Sequence, residues 1–239
     1  VVQPNNPPEV TFPVISPSQP TTLNDLFLTY NTQDLDGDQI IATEIEWSLD
    51  NTLTMQSSTI IQSSITERDQ IWSAKIRVSD GIDWSTWSFV EVTIINSAPV
   101  ISDLQLAPTN SYTNDSLSFT YAYSDFDDDV MGPTTITWYK DSVEQTNLAN
   151  QNTVPASLTT KGENWTVSVY GNNGTELSID SLASSVLIQN SIPTVMIEDM
   201  PENISFVDNQ ALGLTILPEF TDADNDQINF QISWLRNGF

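Results

Sequence analysis

The sequence predicts an all-β chain of tandem sandwich domains. Three observations carry this. Short β-branched segments alternate apolar and polar residues, turn-forming residues separate them, and a set of landmarks returns in the same order along the chain. The segments Leu26–Thr32, Ala42–Leu49, Ser58–Thr66, Ile71–Ser79 and Ser88–Ile95 read as strands. Pro, Asp-Gly, Asn-Gly and Asn clusters break them, and no stretch sustains a helical period.

The landmarks define the repeat. "NNPPEV" at Asn5 returns as "NSAPV" at Asn96 and "NSIPTV" at Asn190, steps of 91 (96 − 5) and 94 (190 − 96) residues. "DLDGD" at Asp34 returns as "DFDDD" at Asp125 and "DADND" at Asp222. "IEWSLD" around Trp47 returns around Trp138 and Trp234, and "QIWSAKIRVSDGID" around Trp72 returns as "ENWTVSVYGNNGTE" around Trp165. The opening "VVQPN" matches "VTIIN" at Val92 and "VLIQN" at Val186. The expected organisation is therefore residues 1–5 as the tail of a preceding repeat, repeats at 6–96 and 97–190, and the N-terminal half of a third at 191–239. That third copy is truncated after its first Trp strand, which anticipates a longer array or a missing half supplied by another segment. About seven short strands per copy, with a Trp on the third main strand, predict an immunoglobulin-like β-sandwich. The Pro that opens each copy suits an edge strand, where a missing N–H costs least.

Composition narrows the function. Six Lys and Arg stand against 32 Asp and Glu, a formal net charge of −26. That charge repels nucleic acid and anionic membranes and suits cations or high salt. The chain has no Cys and no His, which removes thiol chemistry, disulfides, ordinary zinc sites and His-dependent triads. No phosphate-binding loop, nucleophile elbow or long apolar run is present, so neither catalysis nor membrane insertion is expected.

The Asn-Pro start, the D-x-D-G-D loop, the Trp strand and the "WSAKIRVSDG" strand resemble the PKD-type and cadherin-like repeats of large archaeal and bacterial surface proteins. The resemblance covers nearly the whole chain. It implies an extracellular stalk, adhesin or filament component at the cell surface, often calcium-dependent. The second copy departs from the pattern, with "VYGNNG" in place of "VSDG" and no Gly in "DFDDD".

In such a sandwich the loop holding Asp34, Asp36 and Asp38 and the loop holding Asp80 and Asp83 share one end, where the linker at Asn5 and Asn6 arrives. Clustered carboxylates and backbone carbonyls on flexible loops meet the oxygen-rich demand of Ca²⁺ better than the strict octahedron of Mg²⁺. Asp222, Asp224 and Asp226 repeat the set in the third copy. Asp125, Asp127 and Asp129 repeat it in the second, where the departures weaken the case. The loop is no EF-hand, since Gln39 and Ile45 stand where Gly and Glu belong. A solvated Asp-Gly turn is the alternative for any one copy, and a carboxylate active site is disfavoured by repetition. The expected partners are neighbouring repeats of the same chain, or other copies in a fibre or surface layer.

Trp47, Trp72, Trp138, Trp165, Trp234 and Trp84 are expected in cores, and Trp87 at the surface. The alternatives in function are a glycan-binding module at Trp84–Trp87 or an accessory region of a larger surface enzyme. Sequons at Asn114, Asn164, Asn173 and Asn203 occur about as often as chance gives in a chain so rich in Asn, Ser and Thr.

Overall fold

A computed structural model describes residues 4–197 and 218–232. Trp234 and Asn203 lie outside the described residues. The first sandwich is built from β1 (Glu9–Ser16), β2 (Leu26–Gln33), β3 (Ala42–Leu49), β4 (Thr52–Leu53), β5 (Ile60–Ile61), β6 (Ile71–Ser79) and β7 (Ser88–Thr93). One sheet runs β1-β2-β5 and the other β4-β3-β6-β7. The second comprises β8 (Val100–Ala107), β9 (Ser111–Tyr112), β10 (Leu117–Ser124), β11 (Thr135–Lys140), β12 (Val143–Glu144), β13 (Thr153–Val154), β14 (Asn164–Tyr170) and β15 (Leu182–Gln189). Its sheets run β13-β10-β8 and β12-β11-β14-β15-β9. In the third copy β16 (Thr194–Ile197) pairs antiparallel with β17 (Pro218–Thr221). The fold is all-β, in tandem immunoglobulin-like sandwiches.

The chain divides into two compact units. One is Val1–Val100 with Tyr123–Pro133 and Asn172–Ile179; the other is Ile101–Ala122, Thr134–Gly171 and Asp180–Phe239. Every contact described below lies inside one of them.

Each core is organised by two tryptophans on adjacent strands. Trp47 and Trp72 are buried and meet edge to face at 6.3 Å and 69°; Trp138 and Trp165 do so at 6.4 Å and 72°. Indole N–H groups are costly to bury unpaired, and each has a partner. Trp47 donates to Ser58 O at 2.8 Å and Trp138 to Gln151 O at 2.9 Å. Trp72 donates to Gln70 Oε1 and Trp165 to Glu163 Oε2, both at 3.0 Å. Around them the alternating faces supply Leu26, Leu28, Ile76 and Ile94 in one core, and Leu117, Val167, Val169 and Ile188 in the other.

Turn chemistry sets the register. Between β3 and β4, Asp50 and Asn51 both take positive φ (47° and 65°), as Asp141 and Ser142 do (49° and 68°) between β11 and β12. Two consecutive left-handed residues match the twist of a tight hairpin. Asp50 and Asp141 then accept the N–H of Ile71 and Asn164 at 2.9 and 2.8 Å, tying each hairpin to the Trp strand beside it. Trp138→Ala is expected to cost about 3–5 kcal/mol in urea unfolding, as truncation of a buried aromatic does. Trp87→Ala, at a surface position, is expected to cost less than about 1 kcal/mol.

Candidate cation sites at the acidic loops

The acidic loop follows β2, β10 and β17 in turn, and its backbone is the same in all three. The first aspartate folds the loop over its own side chain. Asp34 Oδ1 accepts the N–H of Asp36 at 2.8 Å and of Asp38 at 3.1 Å. Asp125 Oδ1 takes Asp127 and Asp129 at 2.8 and 3.4 Å, and Asp222 Oδ1 takes Asp224 and Asp226 at 2.8 and 3.1 Å. This is the local side-chain-to-backbone bonding that favours Asp in turns. The fourth position is left-handed in each: Gly37 at 81°, Asp128 at 59°, Asn225 at 57°. Loss of Gly from the second copy therefore leaves the turn intact, because Asp and Asn tolerate this region.

The second aspartate holds the linker. Asp36 Oδ2 accepts the backbone N–H of Asn6 at 2.7 Å, Asp127 Oδ2 that of Ser97 at 2.6 Å, and Asp224 Oδ2 that of Ser191 at 2.5 Å. The residue before each is the recurring linker Asn. Asn5 Nδ2 donates to Asp80 Oδ2 and Asp83 Oδ2 at 3.0 and 2.9 Å, and Asn96 Nδ2 donates to Glu176 Oε1 at 2.6 Å. The expected meeting of both loops with the linker is present in the first copy. Asp80 and Asp83 there engage Asn5, and the close cluster is Asp34, Asp36 and Asp38, with one oxygen from each within 4.8 Å of the others. Asp222, Asp224 and Asp226 form the same cluster; among the described residues Asp125, Asp127 and Asp129 do not.

Two side chains account for that difference. Asn173 stands where the first copy has Asp80, each eight residues beyond its strand Trp. Asn173 Oδ1 accepts the N–H of Thr175 and Glu176 at 3.0 and 2.9 Å, which turns its amide N–H toward Asp125 Oδ2 at 3.1 Å. The second copy thereby satisfies both oxygens of its first aspartate. In the other two copies the corresponding atoms, Asp34 Oδ2 and Asp222 Oδ2, are buried without a hydrogen-bond partner. A buried carboxylate oxygen facing two further carboxylates is costly unless a cation reaches it, so both donor sets fit a hard, oxygen-liganded ion. The second side chain is Arg68, whose guanidinium Nη1 donates to Asp129 and to Asn96 Oδ1, the latter at 2.6 Å. Lys161 Nζ does the same to Asp226 and to Asn190 Oδ1, the latter at 2.9 Å. The hydrogen bonds to Asp129 and Asp226 raise the pKa of Arg68 and Lys161 above their ordinary values. Sequence reasoning missed both residues. The available signal was their common place four residues before Trp72 and Trp165, in a chain with only six basic residues.

Trp84 is a correction. It lies at the surface, 39% exposed, rather than in the core, and Trp87 is 37% exposed. The Arg77 guanidinium lies 4.6 Å from the centroid of each ring and pairs with Glu44 at 2.5 Å. Cation–π attraction draws the two indoles onto strand β6, and Arg77 takes a ring face from each. Leu177 holds the equivalent place in the second copy: Ser79 bridges Trp84 as Asn172 bridges Leu177. Of the sequons, Asn114 and Asn164 are exposed and Asn173 is buried.

No protein-family model matches the chain, and no curated protein does. Among solved structures, the chain is similar to a two-domain fibronectin type III segment of chicken tenascin, at 10% identity and a TM-score of 0.39, over 74% of this chain and 98% of that one. It is similar to the fibronectin(III)-like modules of Clostridium thermocellum CbhA at 16% and 0.27, over 74% and 94%. It is also similar to the chicken interferon gamma receptor alpha chain at 11% and 0.41, over 75% and 98%. The fold assignment rests on the strand order, pairing and cores described above. Among the described residues no helix is long and apolar enough to cross a membrane.

Hydrogen bonds hold two of these carboxyls below the ordinary aspartate value of 3.8. For Asp80 the leading donor is the N–H of Asp83, then Asn5; for Asp224 it is the Thr113 hydroxyl, then the Ser191 N–H. A depressed carboxyl stabilises the fold above its unfolded-state pKa and loses that contribution as pH falls through the folded one. Acidification is thus expected to loosen the contacts of Asp80 and Asp224 only below about pH 3.8, read by amide exchange at Asp83 and Ser191. Asp224→Asn is expected to flatten the acid response at Ser191.

Proposed function

We propose that the chain is a non-enzymatic structural segment of an extracellular repeat protein, a cell-surface stalk, adhesin or filament component. Its repeats would run 6–96, 97–190 and from 191 onward, joined at the Asn-led linkers. Ca²⁺ would be held by Asp34, Asp36 and Asp38 in the first copy and by Asp222, Asp224 and Asp226 in the third. The observation that carries this reading is the pair of buried, unpartnered oxygens on Asp34 and Asp222, each beside two more carboxylates. The bound ion would supply positive charge that offsets the repulsion among them.

The chain's own groups do the rest. Asp34 and Asp222 hold the loop backbone, while Asp36 and Asp224 hold the linker N–H. A loop with less self-repulsion stiffens the start of its repeat, and in an array each repeat leans on its neighbours alone. The second copy is the exception, because Asn173 already fills the oxygen a cation would take. Extracellular calcium modules bind at about 10⁻⁴–10⁻³ M.

Thermal melts in 10 mM Ca²⁺ and in chelator test the proposal. An upward shift on the order of 5–15 °C is expected from mass action. Asp34→Asn together with Asp222→Asn is expected to abolish it, and Asp125→Asn to leave it in place. Coincident melts with and without Ca²⁺ would remove the metal from the account.

A further inference from the structure

The three acidic loops share a backbone yet differ in what meets the third aspartate. In the second copy it is Arg68, from the loop that precedes β6. In the third it is Lys161, from the corresponding loop before β14. Both lie four residues ahead of a core Trp, and each bridges the same pair of groups: the linker Asn carbonyl oxygen and the third carboxylate of the loop that follows. These are two of six basic residues in a chain of net charge −26. Asp38, the counterpart in the first copy, is in no ion pair among the described residues.

We infer that Arg68 and Lys161 are protein-borne cations that latch one repeat's linker to the next repeat's acidic loop, closing the second joint without a metal ion and holding the third independently of one. The second joint supplies its own donors, with Arg68 on Asp129 and Asn173 on Asp125. The third is mixed: Lys161 takes Asp226 while Asp222 Oδ2 stays unpartnered. The chemistry explains the choice of residue. A guanidinium offers several N–H groups in a fixed fork and serves Asn96 and Asp129 together. An ammonium rotates its three N–H groups toward Asn190 and Asp226. In both pairs the basic group belongs to one copy and the acid to the next.

The latch does not depend on calcium, and its test is run in chelator so that either reading can fail alone. Hydrogen exchange is followed at the Ser97 and Ser191 amides of the full chain, with the thermal midpoint as a check on folding. Arg68→Gln is expected to speed exchange at Ser97 about fivefold, and Lys161→Gln at Ser191 about twofold, the scale of half-exposed ion pairs. Arg68→Lys is expected to keep most of the protection. Lys75→Gln makes the same change in net charge on an exposed strand position and is expected to change neither amide. Unaltered exchange in Arg68→Gln, equal loss in Arg68→Lys, or an equal effect of Lys75→Gln would each overturn the latch.

Discussion

A single hydrogen bond, from the linker's backbone N–H to the middle aspartate of the acidic loop, decides where each repeat begins. It recurs at Asn6 with Asp36, Ser97 with Asp127 and Ser191 with Asp224. A charged acceptor makes such a bond roughly twice as strong as a neutral one. It also imposes a requirement, since an aspartate can receive the linker only if its loop is already ordered. The first aspartate provides that order by accepting two N–H groups of its own loop. The carboxylates are thus drawn together by backbone geometry, and the problem the structure must then solve is their mutual repulsion.

The copies solve it in different ways. In the second, an amide replaces a carboxylate at Asn173 and a guanidinium arrives from Arg68, so Asp125 Oδ2 and Asp129 Oδ2 each have a proton donor. In the third, Lys161 meets one carboxylate and leaves Asp222 Oδ2 bare. In the first, Asp80 and Asp83 are engaged by Asn5, and Asp34 Oδ2 is bare as well. A proposed divalent ion and a protein-borne cation are therefore two answers to one electrostatic demand. Their distribution follows from single substitutions at equivalent positions.

Much of this was legible in the sequence because it follows local rules. Alternation marked the strands, and two tryptophans per copy marked the core. The recurring D-x-D-x-D marked the loop, and the linker's place beside it followed from sandwich topology. What stayed hidden depended on partners distant in the chain. Trp84 reads as a core residue, yet it lies at the surface with the Arg77 guanidinium over its ring. The missing Gly of the second loop weakened its case as a cation site, although Asp128 adopts the same left-handed turn. The real departure there lies in Arg68 and Asn173, 61 and 48 residues from their acidic partners.

The central claim is that the middle aspartate holds the linker. Its most direct measurement is NMR chemical shift and hydrogen exchange of the Asn6, Ser97 and Ser191 amides in chelator. The account predicts three slowly exchanging, downfield amides, each lost in Asp36→Ala, Asp127→Ala or Asp224→Ala respectively. Amides that exchange at random-coil rates, or that ignore those substitutions, would contradict it.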